Sequence, residues 1–444
     1  MDKLMRKAAA LLLALMMLAG CGGPASSSPA SAPVTQGGGE LSGPGPEALE
    51  DTYYDYTTYA FASETEGEYD PARYRWDRDG TLTFQEQNRL HTLSPENELL
   101  ETVTIPEEHL AADTCYQFIW GDKYLLAVAA DPSRLGVAYF TEDGGVQLSG
   151  VTLFDHQGQV VRQYDTVDKT RTTGYRILYD GGVPQVHWLD GETAIFNCRS
   201  HIILYDFAAD TGRVLDDMSA LEEEHGKFFV YYGASIDHCG VMDGSFYYMT
   251  RRTEEESIHG GTIWRADKNG AVELFDGRKF THLLVKNGVL IAIEHPSLYG
   301  NDPDIVYTID PGMLELREVW RGSAPIHFME SGWYLTFQST HGWENDVLYA
   351  YHRDTGELFQ HDLERIVQVN DLWVAEIEGS LRYYYTTFVE GTETDWVYDT
   401  ASDTTTQLPD GSVGGILSVR PDGGRILRQH PDGSRRLQVA CWPS

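Results

Sequence analysis

The chain has 444 residues, of which 41% are hydrophobic and 12% aromatic, with 44 glycines and 18 prolines. It is too apolar and aromatic for a disordered protein, and glycine and proline interrupt it too often for a helical bundle. Its 33 Lys and Arg residues against 68 Asp and Glu residues give a formal net charge of −35. A charge of this sign repels phosphate groups, which excludes nucleic acid as a partner.

The N-terminus has the pattern of an export signal. A basic segment, residues 2–7, precedes an apolar run at 8–20 that is too short to span a bilayer core. The run ends in Leu-Ala-Gly-Cys at 18–21, which resembles a bacterial lipobox. The resemblance implies cleavage before Cys21, whose thiol would carry diacylglycerol with acyl chains such as palmitate. Residues 1–20 are then a lipoprotein signal peptide, and the protein is anchored in the bacterial cell envelope, facing outside the cytoplasm.

A flexible tether follows the predicted anchor. Residues 22–50 contain 7 Gly, 5 Pro, 5 Ser and 4 Ala, and neither Lys nor Arg. Such a composition favours a disordered linker with an r.m.s. span of about 30 Å. We therefore divide the chain into the signal peptide, the lipidated cysteine with its linker at 21–50, and a folded body at 51–444.

The body repeats a unit in which an apolar strand, a polar turn and a second strand follow one another. The copies begin near residues 89, 151, 202, 262, 305, 347 and 396. Each is preceded by a second hairpin with a tight turn, as in Met-Asp-Gly-Ser at 242–245, where the glycine supplies the positive φ of a short turn. Two hairpins per repeat are typical of a β-propeller blade, whose stacking buries both faces of the sheet.

The fold class predicted is all-β, a single propeller of seven or eight four-stranded blades. The C-terminal stretch 414–442 offers only three strands, and the tyrosine-rich stretch 52–62 is predicted to supply the fourth. Seven blades would result if 73–106 and 413–442 shared one blade. A chain of β-sandwiches is the rival architecture, although it needs units nearer 100 residues.

Two turn sequences resemble those of known propeller families. Pro-Asp-Gly at 421–423 and 431–433 is similar to the WD-like repeats of periplasmic TolB-type propellers. Asp-Thr-Gly at 210–212 and 354–356 is similar to quinoprotein-like repeats. Both resemblances cover single hairpins and imply the architecture of a bacterial lipoprotein propeller. They imply neither a quinone cofactor nor catalytic residues.

Function is expected in the connections between the second and third strands of each blade, which are long and project from one face. These connections are predicted at 132–150, 251–261, 295–304, 338–346 and 387–395. They combine carboxylates with aromatic side chains, which suits sugars, cationic peptides or Ca²⁺. The candidate ligand-binding residues are Glu254, Tyr299, Asp302, Trp343 and Asp346. Solvated acidic loops that only keep the protein soluble are the alternative interpretation.

Four histidines recur in the first strands of successive blades, which line the central channel of a propeller. They are His187, His238, His282 and His327. Imidazole is a preferred ligand of transition metals, so these histidines would form a metal site if they converged. Their offsets from the next turn differ, which also allows a polar channel lining or packing between blades.

No motif of a known catalytic class is present, and no cofactor is expected, although Ca²⁺ or another divalent metal is an alternative. The leading hypothesis is a monomeric binding module for a protein, peptide or glycan. The alternative is a carbohydrate-active hydrolase or lyase that uses carboxylates at the channel mouth. Four further cysteines lie in apolar strand patterns, which favours buried thiols over disulfides; they are Cys115, Cys198, Cys239 and Cys441.

Overall fold

The structure is a computed structural model, and the residues that it describes form an all-β domain. They are 52–55, 74–77, 79–86, 89–106, 116–129, 138–141, 145–164, 172–176, 185–198, 201–218, 239–251, 260–275, 277–286, 288–295, 302–323, 325–341, 345–363, 367–429 and 436–443. The predicted signal peptide, Cys21 and the linker lie outside these residues. Within the described part of the chain, no helix has the length and hydropathy needed to cross a membrane.

The described strands form eight antiparallel blades, each with strands a to d counted outward from the channel. Blade 1 comprises β2 (Tyr74–Trp76), β3 (Leu82–Glu86), β4 (Arg89–Leu93) and β5 (Leu99–Thr104). Blade 2 comprises β6 (Tyr116–Trp120), β7 (Leu125–Ala129), β10 (Val151–Phe154) and β11 (Val160–Tyr164). Blade 3 comprises β13 (Gln185–Trp188), β14 (Thr193–Cys198), β15 (His201–Asp206) and β16 (Thr211–Asp217). Blade 4 comprises β17 (Cys239–Met242), β18 (Ser245–Thr250), β19 (Thr262–Asp267) and β20 (Gly270–Leu274).

The second half of the chain repeats this arrangement, with the longest strands in blades 6 and 7. Blade 5 comprises β21 (His282–Lys286), β22 (Val289–Glu294), β23 (Asp304–Ile309) and β24 (Leu316–Gly322). Blade 6 comprises β25 (Pro325–Ser331), β26 (Tyr334–His341), β27 (Asn345–His352) and β28 (Leu358–Asp362). Blade 7 comprises β29 (Gln368–Ile377), β30 (Ser380–Val389), β31 (Thr392–Asp399) and β32 (Thr404–Gln407). Blade 8 comprises β33 (Ile416–Val419), β34 (Ile426–Gln429), β35 (Arg436–Ala440) and β1 (Thr52–Asp55).

The two ends of the folded body meet in blade 8. Strand β1 is the outermost strand of that blade and pairs with β35 in antiparallel register, with Thr52 opposite Val439. This confirms the prediction that the tyrosine-rich N-terminal stretch completes the last blade. It also shows that stretches 73–106 and 413–442 form separate blades, so the seven-blade alternative is wrong.

Eight hydrophobic clusters fill the spaces between adjacent blades and close the ring. The last of these spaces, between blades 8 and 1, contains Leu93 and Leu437, both almost fully buried. Because each blade buries both of its faces against neighbours, the core consists of these eight layers between blades. The rival chain of separate sandwiches is therefore excluded.

Tight turns between strands a and b explain why the local sequence folds as hairpins. Asp243 and Gly244 join β17 to β18 with φ values of 49° and 69°. Two successive positive φ angles are the signature of a type I′ turn, whose twist matches that of the flanking strands. Glycine at the second position adopts this conformation without steric cost.

Blade 2 contains an insertion that the sequence did not reveal. Strands β8 (Ala138–Thr141) and β9 (Val146–Leu148) lie within the connection between β7 and β10. Strand β12 (Thr172–Arg176) pairs with β8. Strand β9 extends blade 3 through one residue pair, Val146 opposite Gly212. A Cβ atom on Gly212 would lie 2.9 Å from Val146 Cβ, so the close approach of β9 to blade 3 requires glycine there.

The antiparallel order places the a–b and c–d turns on one end of the ring, here called the turn face, and the b–c and d–a connections on the other, the loop face. Two of the predicted long connections on the loop face are shorter than expected. In stretch 387–395, β30 and β31 continue up to a two-residue turn at 390–391. In stretch 338–346, only residues 342–344 separate β26 from β27. The ends of these strands are rich in polar residues, so their sequence resembles that of a loop. The hydrogen-bonded ladder nevertheless continues through them.

Candidate functional site

A cleft of about 880 Å³ opens on the turn face between blades 5 and 6 and reaches turns of blades 1 and 8. We call it the turn-face cleft. The side chains that give it its character are Trp76, Met313, Arg317, Trp333, Arg353 and Asp354. Its volume falls within the range of small-molecule sites, and several blades contribute to its walls.

The turn between β25 and β26 holds Trp333 in this cleft. Gly332 has a φ of 59°, and a Cβ atom on it would lie 2.6 Å from the Cα atom of Gly423 in the a–b turn of blade 8. The two turns therefore approach too closely for any side chain at position 332, since the Arg420 carbonyl also lies within 3.2 Å of that Cβ position, and Trp333 follows the contact directly. The Trp333 side chain remains 40% exposed.

A guanidinium group covers the indole ring of Trp333. The Cζ atom of Arg353 lies 5.1 Å from the ring centroid, and its Nη2 atom donates to the carbonyl of Pro421 at 3.4 Å. Stacking of this kind combines cation–π attraction with apolar contact. Met313, on the neighbouring c–d turn, is 66% exposed, so a second large apolar side chain reaches solvent beside the same cleft.

The lining of the cleft carries charges of both signs. Arg317 and Arg353 supply the cations, and Asp310, Glu315 and Asp354 supply carboxylates. The arrangement suits a ligand with a flat apolar face and several polar groups. It does not select a simple anion or a simple cation.

On the loop face, carboxylates expected at a ligand-binding rim instead hold blades together. Asp346 is 1% exposed at the start of β27, where its Oδ2 atom accepts hydrogen bonds from Gln338 Nε2 at 2.7 Å and from the Val367 amide at 2.9 Å. Asp395 of blade 7 is 3% exposed and accepts bonds from Thr386 Oγ1 at 2.6 Å and the Val413 amide at 3.0 Å.

These two aspartates occupy equivalent positions in successive blades. Each joins strand b of its own blade to the connection that leads into the next blade. In blade 5, Asp304 is the first residue of strand c and is hydrogen-bonded to His295, which follows strand b. Charge-assisted bonds of this kind are among the stronger ones in proteins, which accounts for buried carboxylates in a chain that is already acidic.

Asp371, near the start of strand a in blade 7, is different. Burial, together with the charges of Glu393 and Asp395, raises the pKa of its carboxyl to about 6. Among the described residues we find no hydrogen-bond donor to this carboxylate, whereas Glu393 accepts a bond from Asn370 Nδ2 at 2.9 Å. The Asp371 carboxyl therefore holds its proton to a higher pH than an ordinary aspartate does.

The structure places the five predicted ligand-binding residues as follows. Asp302 is exposed on the loop face, as expected for a rim residue. Asp346 is buried, in contrast to the exposed position expected for it, because it is the second residue of β27 and its carboxylate is bonded to Gln338 and the Val367 amide. Glu254, Tyr299 and Trp343 lie outside the described residues. Their proposed role in ligand binding stays a prediction.

The described histidines do not converge in the channel. His187 packs between blades 3 and 4, 5.2 Å from the Phe246 ring and 3.8 Å from Cys239 Sγ, and burial lowers its pKa to about 4. His282 is exposed, with its Nδ1 atom 3.1 Å from Thr281 Oγ1. His327 lies in β25, and His238 lies outside the described residues. Within the described part of the chain, no group of three His, Cys, Asp or Glu residues is arranged to hold a metal ion.

Two of the four body cysteines are described in full. Cys239 is a buried thiol, as predicted, near Asn197 Nδ2 at 3.8 Å. Cys441 is exposed, contrary to the prediction of burial, and accepts a hydrogen bond from the Arg425 guanidinium. Cys441 follows the last residue of β35, so its side chain lies beyond the packed part of blade 8.

The turn-face cleft was not predicted from the sequence. The prediction placed the binding site where the connections between strands are longest, which is the loop face. A signal was present nevertheless. The turn Ser-Gly-Trp at 331–333 places a large aromatic residue at a hairpin tip, where a polar residue is usual.

Comparisons with known proteins support no assignment beyond the fold. No protein-family model matches the chain, and no curated protein matches its sequence. Dipeptidyl peptidase 4 of Porphyromonas gingivalis superposes with a TM-score of 0.48 and 12% identity over 85% of this chain, which spans 59% of that protein. An oligogalacturonate lyase in complex with manganese gives 0.36 and 12%, over 74% of this chain and 97% of the lyase.

The β-propeller domain of the Trilobed protease from Pyrococcus furiosus is also similar, with a TM-score of 0.35 and 10% identity over 73% of this chain and 93% of that domain. At these values the likeness concerns the propeller architecture alone. The eight sheets, their register and the closure by β1 therefore define this chain as an eight-bladed β-propeller, and its function has to be argued from its own residues.

Proposed function

We propose that the protein is a lipid-anchored, extracytoplasmic binding module that takes its ligand in the turn-face cleft without chemical conversion. The observation that carries this proposal is Trp333, 40% exposed beneath the Arg353 guanidinium in a cleft of about 880 Å³. Large apolar side chains exposed in a concave, partly polar site are typical of ligand-binding surfaces.

The chemistry of the cleft suits a glycan or a peptide. The indole ring offers a stacking surface, and the arginines and carboxylates around it offer donors and acceptors for hydroxyl, amide or charged groups. Met313 adds a polarisable side chain that adapts to the shape of a ligand.

The test is an array of glycans and peptides probed with the full-length protein in detergent, followed by titration of each hit. We expect Trp333→Ala to weaken binding roughly tenfold or more, as for a central aromatic anchor. Phe388→Ala is the matched control, because Phe388 is an exposed aromatic residue (38%) near the opposite end of the ring. Equal binding by Trp333→Ala and the unaltered protein would contradict the cleft as the site, and a loss confined to Phe388→Ala would favour the loop face.

The lipid anchor is tested separately. Cys21→Ser removes the sulfur that would accept diacylglycerol, so the variant is expected to accumulate as an unlipidated precursor. The measurement is metabolic labelling with a palmitate analogue, together with membrane fractionation. Normal processing and membrane retention of the variant would refute the lipoprotein assignment.

The hydrolase or lyase alternative needs an acid with a raised pKa, and Asp371 has that property. However, Asp371 does not line the turn-face cleft. Its neighbour Asp395 already accepts hydrogen bonds from Thr386 and the Val413 amide through its two carboxylate oxygens. The binding role therefore has the better support.

A further inference from the structure

A second concave surface lies on the outer wall of the ring, between the outermost strand of blade 6 and the facing side of blade 7. We call it the side groove; it has a volume of about 770 Å³ and shares no residue with the turn-face cleft. The residues that define its chemistry are His361, Asp362, Tyr385, Trp396, Tyr398 and Asp403.

One wall of the side groove is aromatic. Tyr385 and Trp396 are directly opposite one another in the β30–β31 ladder, and Tyr398 follows two residues later on the same face. The His361 ring stacks on the Tyr398 ring with centroids 3.6 Å apart and an angle of 10° between the planes. Trp396 and Tyr398 are both partly exposed, so the wall is accessible to a ligand.

The charge of the side groove is negative. Asp403 is exposed and accepts a hydrogen bond from the Tyr398 hydroxyl at 3.0 Å, Asp362 is exposed at the rim on the other face of β28, and the lining contains neither Lys nor Arg. Burial lowers the pKa of His361, which favours the neutral form of its imidazole. Aromatic faces beside carboxylates attract ammonium and guanidinium groups, through cation–π and ionic interactions together.

The opposite wall is the edge of a sheet. Strand β28 is the outermost strand of blade 6, and among the described residues no strand pairs with its outer edge. The Leu363 amide donates to the Asp346 carbonyl at 2.8 Å, which fixes the alternation of the ladder. The peptide groups of Gln360 and Asp362 therefore point away from β27, towards the position of an additional strand.

The side chains of β28 alternate as well. Phe359, His361 and Leu363 belong to the contacts between blades 6 and 7, whereas Leu358 packs on the blade 5 side. A strand added to β28 would therefore direct every second side chain into the side groove, at intervals of about 6.6–6.8 Å.

We infer that the side groove binds an extended segment of a partner polypeptide, added as a fifth strand to blade 6, with Lys or Arg at alternate positions beside Trp396 and Tyr398. Main-chain hydrogen bonds to Gln360 and Asp362 provide the docking, and the acidic, aromatic groove provides the preference for basic side chains. This site is independent of the ligand proposed for the turn-face cleft.

The probe is the heptapeptide acetyl-Thr-Lys-Thr-Lys-Thr-Lys-Thr-amide, titrated calorimetrically into the full-length protein in a non-ionic detergent. Its control is acetyl-Lys-Thr-Thr-Lys-Thr-Thr-Lys-amide, which has the same composition and charge but no two lysines at alternate positions. We expect the alternating peptide to bind about tenfold more tightly than the control peptide. Two further versions of the alternating peptide carry N-methyl groups, one at the Lys positions and the other at the Thr positions. One of these two versions should lose binding, because its methyl groups replace the main-chain donors that pair with β28.

On the protein side, Tyr398→Ala should weaken binding of the alternating peptide about tenfold, and Asp403→Asn about threefold. Tyr398→Phe keeps the ring and should leave binding unchanged, which separates loss of the aromatic face from misfolding. Trp333→Ala, in the turn-face cleft, should also leave it unchanged.

Equal affinity for the two peptides, retention of binding by both N-methylated versions, or the absence of measurable binding at 1 mM peptide would each overturn the inference. Retained binding by Tyr398→Ala would overturn it as well.

Discussion

Because the Asp371 carboxyl is partly buried beside other carboxylates, we predict that a neutral side chain at this position stabilises the propeller at neutral pH. Burial and the charges of Glu393 and Asp395 disfavour ionisation of this carboxyl and raise its pKa in the folded state to about 6, from an ordinary value of 3.8. A raised folded-state pKa contributes stability that is fully present below the unfolded pKa near 3.8 and is lost as the pH rises through about 6.

The size of the effect follows from the shift. A difference of about two pKa units corresponds to roughly 3 kcal/mol at 1.36 kcal/mol per unit, and partial exposure of the side chain reduces this to ~1–3 kcal/mol. Asparagine has nearly the same shape and carries no charge. Asp371→Asn is therefore expected to raise the free energy of unfolding by ~1–3 kcal/mol at pH 8, with the difference from the unaltered protein vanishing below about pH 4.

The assay is urea-induced unfolding of the full-length protein in detergent, followed by tryptophan fluorescence at pH values from 4 to 8. Glu393→Gln is the matched control: it removes one neighbouring charge from an exposed position and should give a smaller gain with the same pH dependence. A gain that does not depend on pH, or a loss of stability at pH 8, would refute the reasoning.

Two further predictions concern closure and the loop face. Deletion of residues 52–62 removes β1 and exposes the edge of β35, so we expect a lower melting temperature and aggregation during size-exclusion chromatography. The matched control is deletion of eleven linker residues, 34–44, which should change neither the melting temperature nor the elution profile. Asp346→Ala should lower the free energy of unfolding by about 1–3 kcal/mol, because it leaves Gln338 Nε2 and the Val367 amide buried without their acceptor, whereas exposed Asp302→Ala should leave it unchanged. Unaltered stability of the deletion variant, or equal urea midpoints for the two aspartate variants, would contradict these assignments.

The sequence allowed the strands of the blades to be predicted because their signals are local. Alternating apolar residues and turn pairs such as Asp243–Gly244 lie within a few positions of one another, and the recurrence of the unit fixed the architecture. The insertion β8–β9 was missed, since its attachment to blade 3 depends on a contact between Val146 and Gly212 that no local pattern encodes.

The candidate site was harder to predict for a related reason. A carboxylate such as Asp346 has the same identity whether it faces solvent or receives two buried hydrogen bonds, and only the positions of Gln338 and the Val367 amide decide between these states. Likewise, Trp333 belongs to a cleft because Gly332 meets Gly423 from another blade, a contact between distant parts of the chain.

The pairing of β1 with β35 also has a consequence for the order of folding. Thr52 is among the first residues of the body to be synthesised, and its partner Val439 is among the last. A contact of such high sequence separation forms slowly, because nearly the whole chain must be ordered between its two ends. Blades 1 to 7 are each complete within one stretch of chain, whereas blade 8 has to wait for the C-terminus. During synthesis, the ring therefore remains an open arc, with β1 unpaired until β35 has emerged.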